Sequence, residues 1–192
     1  MSNQVRIIAG RWRGRKLTFP DVPGLRPTPD RVRETLFNWL QYDVIGSRCL
    51  DLFAGSGGLG FEAASREAAH VVQVETNHQA CRSLETHIRT LGADSRISVI
   101  KGDVLKFLAG SPQVFDLVFL DPPFGFNLVS PVCLALEENG WLAEEAKIYV
   151  EAESGTVLSG MPQNWEELKS KTAGDVGYRL YRRRRSIGTD AA

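Results

Sequence analysis

The stretch "LDLFAGSGGLG", from Leu50 to Gly60, ends an apolar run in four glycines and places Asp51 just ahead of them. Gly55, Gly57 and Gly60 have the spacing G-x-G-x-x-G, which is typical of the turn between a strand and a helix in nucleotide-binding α/β folds. Glycines at this point let the backbone come very close to a ligand. The stretch therefore predicts a small-molecule site at the end of a strand.

Outward from this turn, short apolar runs alternate with helical patterns between residues 48 and 153. Five such runs separated by helices predict a parallel sheet covered on both faces. The later segment "ELKSKTAGDVGYRLYRRR" has the pattern of two strands joined by a turn and predicts an antiparallel pair that closes the sheet.

The N-terminal part has a different pattern. "VRIIAG" and "RKLTFP" flank "RWRG" and predict a short β-hairpin. The next segment, "LRPTPDRVRETLFNWLQ", predicts an amphipathic helix with Thr28 as its N-cap, Pro29 at its first helical position, and Arg31 and Arg33 on its outer face. We therefore expect a hairpin extension over residues 1–27, a main domain over 28–188 and a flexible tail over 189–192.

The size and hydropathy of the chain narrow its class. Its 192 residues, 43% of them hydrophobic, suffice for one core, and we expect a monomer. The sequence has no apolar run of membrane-spanning length and its N-terminus lacks the features of a signal peptide, so we expect a cytoplasmic protein without membrane contact.

The cysteines and histidines do not predict a metal site. Cys49, Cys81 and Cys133 are widely spaced and match neither a disulfide framework nor paired zinc ligands, so we expect core thiols. The three histidines lack ligand spacing and are expected to be surface or structural residues.

The net charge of zero hides an uneven distribution. Residues 1–33 carry eight Lys/Arg against two Asp, a net +6, and residues 177–188 add five arginines without an acid. A basic run can be only a solvated face, but Trp12, Tyr178 and Tyr181 stand among the basic residues as candidates for base stacking. This combination favours a phosphate-backbone partner. The candidate contacts in the N-terminal part are Arg6, Arg11, Arg13, Arg15, Lys16, Arg26, Arg31 and Arg33.

Acidic residues at the strand ends separate two candidate ligands. Glu75, at the end of the next strand, can hold a ribose, which both NAD and S-adenosylmethionine carry. Asp51 would oppose a pyrophosphate but suits the ammonium and sulfonium groups of S-adenosylmethionine. Asp103 follows the third strand, where it could accept a hydrogen bond from the adenine amine or serve as a helix N-cap. Together these three acids favour S-adenosylmethionine over NAD.

The fourth strand ends in "FLDPPFGF", which predicts the reactive group. Asp121 and a proline carbonyl would form two acceptors for an exocyclic amino group, and Pro122 and Pro123 fix the backbone there. Phe124 offers a flat apolar face to a base pulled out of its stack. Holding both N–H groups can turn the nitrogen lone pair toward a methyl donor, so catalysis would rest on positioning and electrostatics.

At this point a family resemblance is evident. "DPPF" resembles the D/N-P-P-F/Y motif of amino methyltransferases, and "DLFAGSGGLG" resembles their cofactor motif. "RIIAGRWRGRKL", "RPTPDRVRETLFNWL", "LDLFAGSGGLGFEAASR" and "FLDPPF", in this order, are similar to the RsmD family of 16S rRNA (guanine(966)-N(2))-methyltransferases. The resemblance extends from Arg6 to about Arg183.

The resemblance implies a fold, a reaction and a partner. The fold would be the Rossmann-like class I sheet of S-adenosylmethionine-dependent methyltransferases, with seven mostly parallel strands, an antiparallel C-terminal pair and an N-terminal hairpin. The reaction would be methylation of the N2 amine of guanine 966 in 16S rRNA, in the 30S subunit or an assembly intermediate. Implied cofactor residues are Asp51, Phe53, Gly55, Gly57, Glu75 and Asp103. Implied target-base residues are Asp121, Pro122, Pro123 and Phe124.

Other functions stay open from the sequence. A non-catalytic RNA-binding assembly factor would use the basic ends but leaves "DPPF" without a role, and an NAD oxidoreductase lacks a set of His, Lys or Tyr for hydride transfer. Methylation of a protein glutamine or of DNA adenine would use the same motif. The run Arg182–Arg185 exceeds the family pattern and is either an additional RNA contact or a solvated tail.

Overall fold

A computed structural model describes residues 3–185 of the 192. The expected tail over residues 189–192, and the last residues of the expected main domain, lie outside this range. The strands are β1 (Gln4–Arg6), β2 (Lys16–Thr18), β3 (Arg48–Asp51), β4 (His70–Glu75), β5 (Ile97–Lys101), β6 (Phe115–Leu120), β7 (Leu142–Glu153), β8 (Trp165–Ala173) and β9 (Val176–Arg183). The helices are α1 (Asp30–Trp39), α2 (Gly58–Ser65), α3 (His78–Leu91), α4 (Val104–Leu108) and α5 (Val129–Glu138).

The main sheet has seven strands in the order β5-β4-β3-β6-β7-β9-β8. Strands β3 to β7 are parallel to one another, whereas β9 runs antiparallel to both β7 and β8. The prediction of a mostly parallel seven-stranded sheet with an antiparallel C-terminal pair is confirmed. The carboxyl ends of β3, β4, β5 and β6 meet at one rim, and the order in which strands are added to the sheet switches sides between β3 and β6, where α/β folds bind ligands.

Helices bury both faces of the sheet. On one face α1, α2 and α3 pack with Leu36, Phe61 and Leu84 against strand residues such as Phe119. On the other face the apolar residues of α4 and α5 pack against the alternate residues of the same strands, around the buried Trp141. This two-sided burial explains why the central strands are apolar runs without alternation. The three cysteines are buried free thiols, as expected.

The N-terminal hairpin is docked on the first of these faces. Strands β1 and β2 pair antiparallel, as predicted, and insert Val5, Ile7 and Leu17 into the core with α1 and α2. A three-residue strand pair is too small to be stable alone, so its apolar side chains and its hydrogen bonds to the main domain hold it in place.

A buried ionic cluster ties the hairpin to α1 and α2. Glu62, which is fully buried, accepts hydrogen bonds from the amides of Ile8 (2.7 Å) and Ala9 (3.0 Å) and from Arg66 Nε (2.7 Å). Arg33 is also fully buried, 3.6 Å from Glu62, and donates to the carbonyl oxygen of Arg6 (2.8 Å). The prediction that Arg33 lies on an outer face for RNA contact is therefore wrong, because its charge neutralises Glu62 inside the protein.

Two further sequence expectations are corrected. Helix α1 begins at Asp30 with Pro29 as its N-cap and without a side-chain cap bond, so Thr28 is not the cap. Trp12, Tyr178 and Tyr181 are 8%, 3% and 7% exposed, and such burial leaves no ring face for stacking a base. Their apolar area serves the core instead.

Candidate active site

A cavity of about 570 Å³ opens at the carboxyl ends of the parallel strands. Its floor is formed by the ends of β3, β4 and β6 and by the glycine turn before α2. The segment from Val22 to Arg26, between the hairpin and α1, forms another wall. The volume suits a nucleoside-sized ligand, and the walls combine apolar side chains with a few carboxylates.

Asp51 lies at the bottom of this cavity and is 2% exposed. Its Oδ2 accepts hydrogen bonds from the Gly60 amide (3.1 Å) and from Gln73 Nε2 (3.3 Å). Burial, together with the nearby Asp121 and Glu75, raises the pKa of Asp51 to about 7. A positively charged ligand would relieve this penalty because opposite charge favours the ionised carboxylate.

Glu75 and Asp103 stand at the adjacent strand ends and both line the cavity. Glu75 accepts from the Gly55 amide (2.9 Å) and from the Asn77 amide (2.7 Å), which fixes its carboxylate at the rim while leaving lone pairs for a ligand. Asp103 is exposed and caps α4 by accepting from the Lys106 amide (3.0 Å). The structure therefore confirms that Asp103 is a helix N-cap, and its contact with a ligand stays a prediction.

Different constraints require glycine at the two positions Gly55 and Gly57 of the turn. Gly55 lines the cavity beside Phe53 and has a positive φ of 50°. Gly57 caps α2 with φ 81°, and an added Cβ would lie 2.6 Å from Leu84 and 2.7 Å from Phe61. Internal packing and a left-handed backbone therefore require Gly57, and it is not among the residues that line the cavity.

The residues of "DPPF" separate into two groups. Asp121 and Pro123 line the cavity, whereas Pro122 is buried behind them and Phe124 is 41% exposed outside the lining. Phe126, which is 70% exposed, faces the cavity instead. Two exposed aromatic rings therefore follow Asp121 on the loop after β6.

Three residues beside Asp121 were not predicted from the sequence. The Thr28 hydroxyl donates to Asp121 Oδ2 (3.2 Å), and the Tyr149 hydroxyl donates to Glu151 Oε1 (2.8 Å). Glu151 is 2% exposed and follows Val150, the partner of Leu120 on the neighbouring strand. A glutamate at the end of the apolar run "KIYV" was the available signal, but only the strand register shows that it lies beside Asp121.

Burial changes the proton affinity of this group. It raises the pKa of Asp121 to about 6, although the hydrogen bond from Thr28 opposes the rise. Burial and the charge of Asp121 raise the pKa of Glu151 well above its ordinary value. The pKa of the Tyr149 hydroxyl is also raised, by burial and by the charge of Glu151.

Next to the cavity, cationic side chains form an exposed surface on the hairpin and α1. Arg26 both lines the cavity and is exposed, which joins this surface to the site. Within residues 3–185 no carboxylate lies within 4.0 Å of any of these cations except Arg6, which is 3.4 Å from Asp30. The exposed cations of this basic surface are Arg6, Arg11, Arg13, Arg15, Lys16, Arg26 and Arg31.

The C-terminal arginine run is different because each of its side chains faces a glutamate. Arg183 makes a paired hydrogen bond to Glu137 and Arg184 lies 2.7 Å from Glu166. Arg182 also contacts Glu166, and Arg185 lies 3.8 Å from Glu144. The two arginines beside it lower the pKa of Glu166 to about 2. The run therefore forms local ion pairs, although Arg184 and Arg185 are largely exposed, and a contact with RNA stays a prediction.

The cavity fits S-adenosylmethionine on the chemistry of its donor set. It brings Asp51, Glu75, Asp103 and Asp121 to one opening against a single lining cation, Arg26. This excess of negative charge suits a ligand with an ammonium and a sulfonium group and opposes a pyrophosphate. The glycine turn leaves space for close backbone approach, so the residues present can hold the cofactor.

Comparison with known proteins agrees with this geometry. A family model described as "Conserved hypothetical protein 95" matches residues 5–182. Ribosomal RNA small subunit methyltransferase D of Escherichia coli K12 is 48% identical over 190 residues, 99% of this chain and 96% of its own. The chain belongs to the RsmD family.

Further relatives support this membership. The Haemophilus influenzae protein of the same name is 52% identical over 182 residues, 93% of each chain. The solved structure of the methyltransferase yhhF from Escherichia coli superposes with a TM-score of 0.88 at 48% identity, over 95% of this chain and 99% of that one. A Salinibacter ruber RNA methyltransferase, solved with S-adenosyl-L-homocysteine, shares the fold at a TM-score of 0.65 and 16% identity, over 87% of this chain and 99% of its own.

The fold is thus that of class I methyltransferases, and S-adenosylmethionine is the cofactor of this family member. No helix within the described residues combines the length and the apolar character needed to cross a membrane.

Proposed function

We propose that this protein transfers a methyl group from S-adenosylmethionine to the N2 amine of guanine 966 in 16S rRNA, in the cytoplasm and as a monomer. The observation that carries the proposal is the presence of Asp121 in the same cavity as the glycine turn and the acids Asp51 and Glu75. This arrangement puts an acceptor for an amino group beside the cofactor site. The names of the relatives support ribosomal RNA as the substrate class.

The acceptor chemistry favours guanine over adenine. A carboxylate at Asp121 can accept hydrogen bonds from an exocyclic N–H and from a neighbouring ring N–H, and guanine presents both at N2 and N1. Adenine presents an acceptor at N1, which the carboxylate would repel. Phe124 and Phe126 on the same loop are exposed aromatic rings on which an extruded base can lie.

The cofactor, when bound, supplies the methyl group as a sulfonium substituent. Asp51, Phe53, Gly55, Glu75 and Asp103 would bind and orient it. Asp121 and the carbonyl of Pro122 or Pro123 would hold the amine so that its lone pair points to the methyl carbon. The apolar side chains of the cavity walls would reduce the access of water to the bound groups and strengthen these interactions.

The basic surface would position the RNA. Residues 1–27 would act mainly through exposed cations, with Arg31 from α1 added to them. These cations lack carboxylate partners among residues 3–185, apart from Arg6, and are therefore free to meet phosphates. The RNA would be presented to this surface in a 30S subunit or an assembly intermediate.

The experiment is methyl-label transfer from S-adenosylmethionine to unmodified 16S rRNA, free and in 30S particles, followed by nuclease digestion to locate the label. We expect label on N2 of guanine 966, lost in Asp121→Asn while cofactor affinity is retained. Label on another nitrogen would contradict the target, and loss of cofactor affinity together with activity would contradict the role of Asp121. Transfer to a glutamine-containing protein in place of RNA would favour the alternative substrate class.

A further inference from the structure

The half-buried Asp121 and the buried Glu151 form a pair of carboxyl groups. They follow the paired residues Leu120 and Val150 at the ends of two adjacent parallel strands, which brings their side chains together. The charge of Asp121 contributes to the raised pKa of Glu151, which places the two carboxyl groups near each other, and the Thr28 hydroxyl donates to Asp121 Oδ2 (3.2 Å). Two neighbouring carboxylates repel each other at a site with little solvent, which favours a proton on one of them.

The surroundings supply too few donors for two charges. The available donors are the hydroxyls of Thr28 and Tyr149. Tyr178 faces Glu151 from β9, and Asp51 approaches from β3, so the remaining neighbours add negative or neutral groups. Across residues 3–185 no Lys, Arg or His nitrogen comes within 4.0 Å of either carboxyl group. The pair therefore lacks a counterion and depends on the shared proton.

The proton belongs to Glu151. This residue is 2% exposed, whereas Asp121 reaches the cavity, where solvent and substrate stabilise its charge. Burial and the charge of Asp121 raise the pKa of Glu151, and the hydrogen bond from Glu151 lowers that of Asp121. The Tyr149 hydroxyl occupies Glu151 Oε1 and leaves the other oxygen for the bond to Asp121.

We propose that Glu151 is a positioning residue for Asp121, a protonated acid that donates to the Asp121 carboxylate, keeps it ionised and aims its free lone pairs at the target amine. The inference rests on the proposed function for the identity of the amine. Its structural part, a buried acid that fixes the charge of Asp121, concerns the free protein as well.

The pair also accounts for the proton released in the reaction. The amine lone pair forms the N–C bond while the S–C bond of the methyl donor breaks and its electrons stay on sulfur. The methylated nitrogen then loses one N–H proton to Asp121, which becomes a neutral acid. A cationic sulfonium and an anionic carboxylate thus become a neutral thioether and a neutral acid, and the proton of Glu151 stays on the pair. Solvent at the cavity opening takes the extra proton after product release.

Two replacements of Glu151 separate this role from simple packing. Glu151→Gln keeps the shape, donates an amide N–H to Asp121 and accepts from Tyr149, whereas Glu151→Leu fills the space without a donor. Single-turnover methyl transfer should fall by no more than about threefold in the Gln variant and by about 100-fold in the Leu variant. Glu153→Gln, at the exposed end of the same strand, is the matched control and should behave as the unmodified protein does.

The pH profile gives a readout that packing would not move. The acid limb of the single-turnover rate should lie near pH 6 in the unmodified protein and in Glu151→Gln, because Asp121 must be ionised. In Glu151→Leu it should move upward by about one pH unit, since a buried carboxylate without its donor holds a proton more tightly. Equal rates and equal acid limbs in the Gln and Leu variants would overturn the inference.

A titration of the free protein distinguishes failure of this inference from failure of the proposed function. The ¹³C carboxyl resonance of Asp121, assigned with Asp121→Asn, should titrate near pH 6 in the unmodified and Gln proteins and about one unit higher in the Leu protein. These midpoints need neither RNA nor cofactor. Equal midpoints in all three proteins refute the role of Glu151, whereas shifted midpoints without rRNA methylation refute the proposed substrate. Thermal unfolding of each variant checks that it is folded.

Discussion

Glu62 and the Asp121–Glu151 pair are both buried acidic sites, but their surroundings are opposite. Glu62 accepts from two backbone amides and Arg66, and Arg33 stands 3.6 Å away. Asp121 and Glu151 have two hydroxyl donors and each other. The first carboxylate is fully compensated, whereas the second pair is kept in a site that raises the pKa of both members.

The difference shows what each site is for. Donors saturate Glu62 and leave nothing for a ligand, so its effect is to fix the hairpin on α1 and α2. Asp121 keeps unused acceptor capacity at a cavity, which is the condition for binding a substrate amine. Glu62, whose charge is fully compensated, stabilises the fold, whereas Asp121, whose charge is only partly compensated, remains available to bind a substrate.

The largest effect is expected at Glu62. Glu62→Ala should lower the free energy of unfolding by about 3 to 5 kcal/mol, because it leaves two amides without an acceptor and leaves the buried Arg33 with Asp30 as its one remaining carboxylate among the described residues. Urea denaturation monitored by circular dichroism measures this. Glu34→Ala, on the exposed face of α1, is the control and should change stability by less than about 0.5 kcal/mol. A loss below about 1 kcal/mol in the Glu62 variant would mean that this cluster does not hold the hairpin.

Asp121→Asn should reduce activity strongly and change stability little, the reverse of what we expect for Glu62→Ala. We expect methyl transfer to fall by about 100-fold or more. The amide of Asn has one acceptor oxygen without a charge, so it cannot hold two N–H groups as a carboxylate does, and it cannot take up the released proton. The free energy of unfolding at pH 7 should stay within about 1 kcal/mol or increase, because a buried charge has been removed. Urea denaturation and isothermal titration with S-adenosylmethionine provide these readouts. Severe destabilisation would assign Asp121 the same structural role as Glu62.

The pH dependence of stability sharpens the contrast. The folded state raises the pKa of Asp121 from 3.8 to about 6, so between these values the folded protein binds more protons than the unfolded chain. Stability from this group is therefore present at low pH and is lost as the pH rises from about 4 to about 6. Relative to Asp121→Asn, the unmodified protein should lose about 1 to 3 kcal/mol over that range.

Chemical denaturation at a series of pH values measures that difference. Asp94→Asn alters an exposed carboxylate and should reproduce the pH dependence of the unmodified protein. Parallel curves of stability against pH for the unmodified protein and Asp121→Asn would show that folding does not raise the pKa of Asp121.

The smallest effect on folding is expected from replacing exposed cations. These changes test positive charges in the way that the previous ones test buried acids. Replacing Arg11, Arg13 and Arg15 by Gln should leave stability within about 0.5 kcal/mol. It should weaken rRNA binding and reduce the slope of log affinity against log salt by roughly 0.7 to 0.9 per lost phosphate contact. Filter binding at several salt concentrations measures this slope.

The matched control is the double change Arg184→Gln and Arg185→Gln, since both arginines are paired with glutamates. Its salt slope should be closer to that of the unmodified protein. A larger loss of slope in this control than in the hairpin variant would move the RNA surface to the C-terminal strands.

Local patterns explain why much of the fold was predictable. The alternation of apolar runs and helices depends on neighbouring residues, and it correctly indicated the parallel sheet, the antiparallel pair and the hairpin. The positions of Asp51, Glu75, Asp103 and Asp121 at strand ends followed from that alternation, since parallel strands share one carboxyl rim. Their contacts with ligands stay a prediction.

The failures concern residues whose surroundings come from distant parts of the chain. Arg33 has the same helical pattern as the exposed Arg31, yet Glu62 from another helix holds it inside. Thr28 has the local signature of a cap, but its hydroxyl binds Asp121, 93 residues away.

Short-range periodicity and backbone sterics were enough to predict the order of strands and helices, the glycine turn and the acids at the sheet rim. They could not show which charges are compensated, because that depends on packing between distant segments. Arg33 with Glu62, the C-terminal arginines with their glutamates, and Asp121 with Glu151 are each brought together by strand register or packing between distant segments. Electrostatic partners depend on distances in space, which the order of residues does not contain.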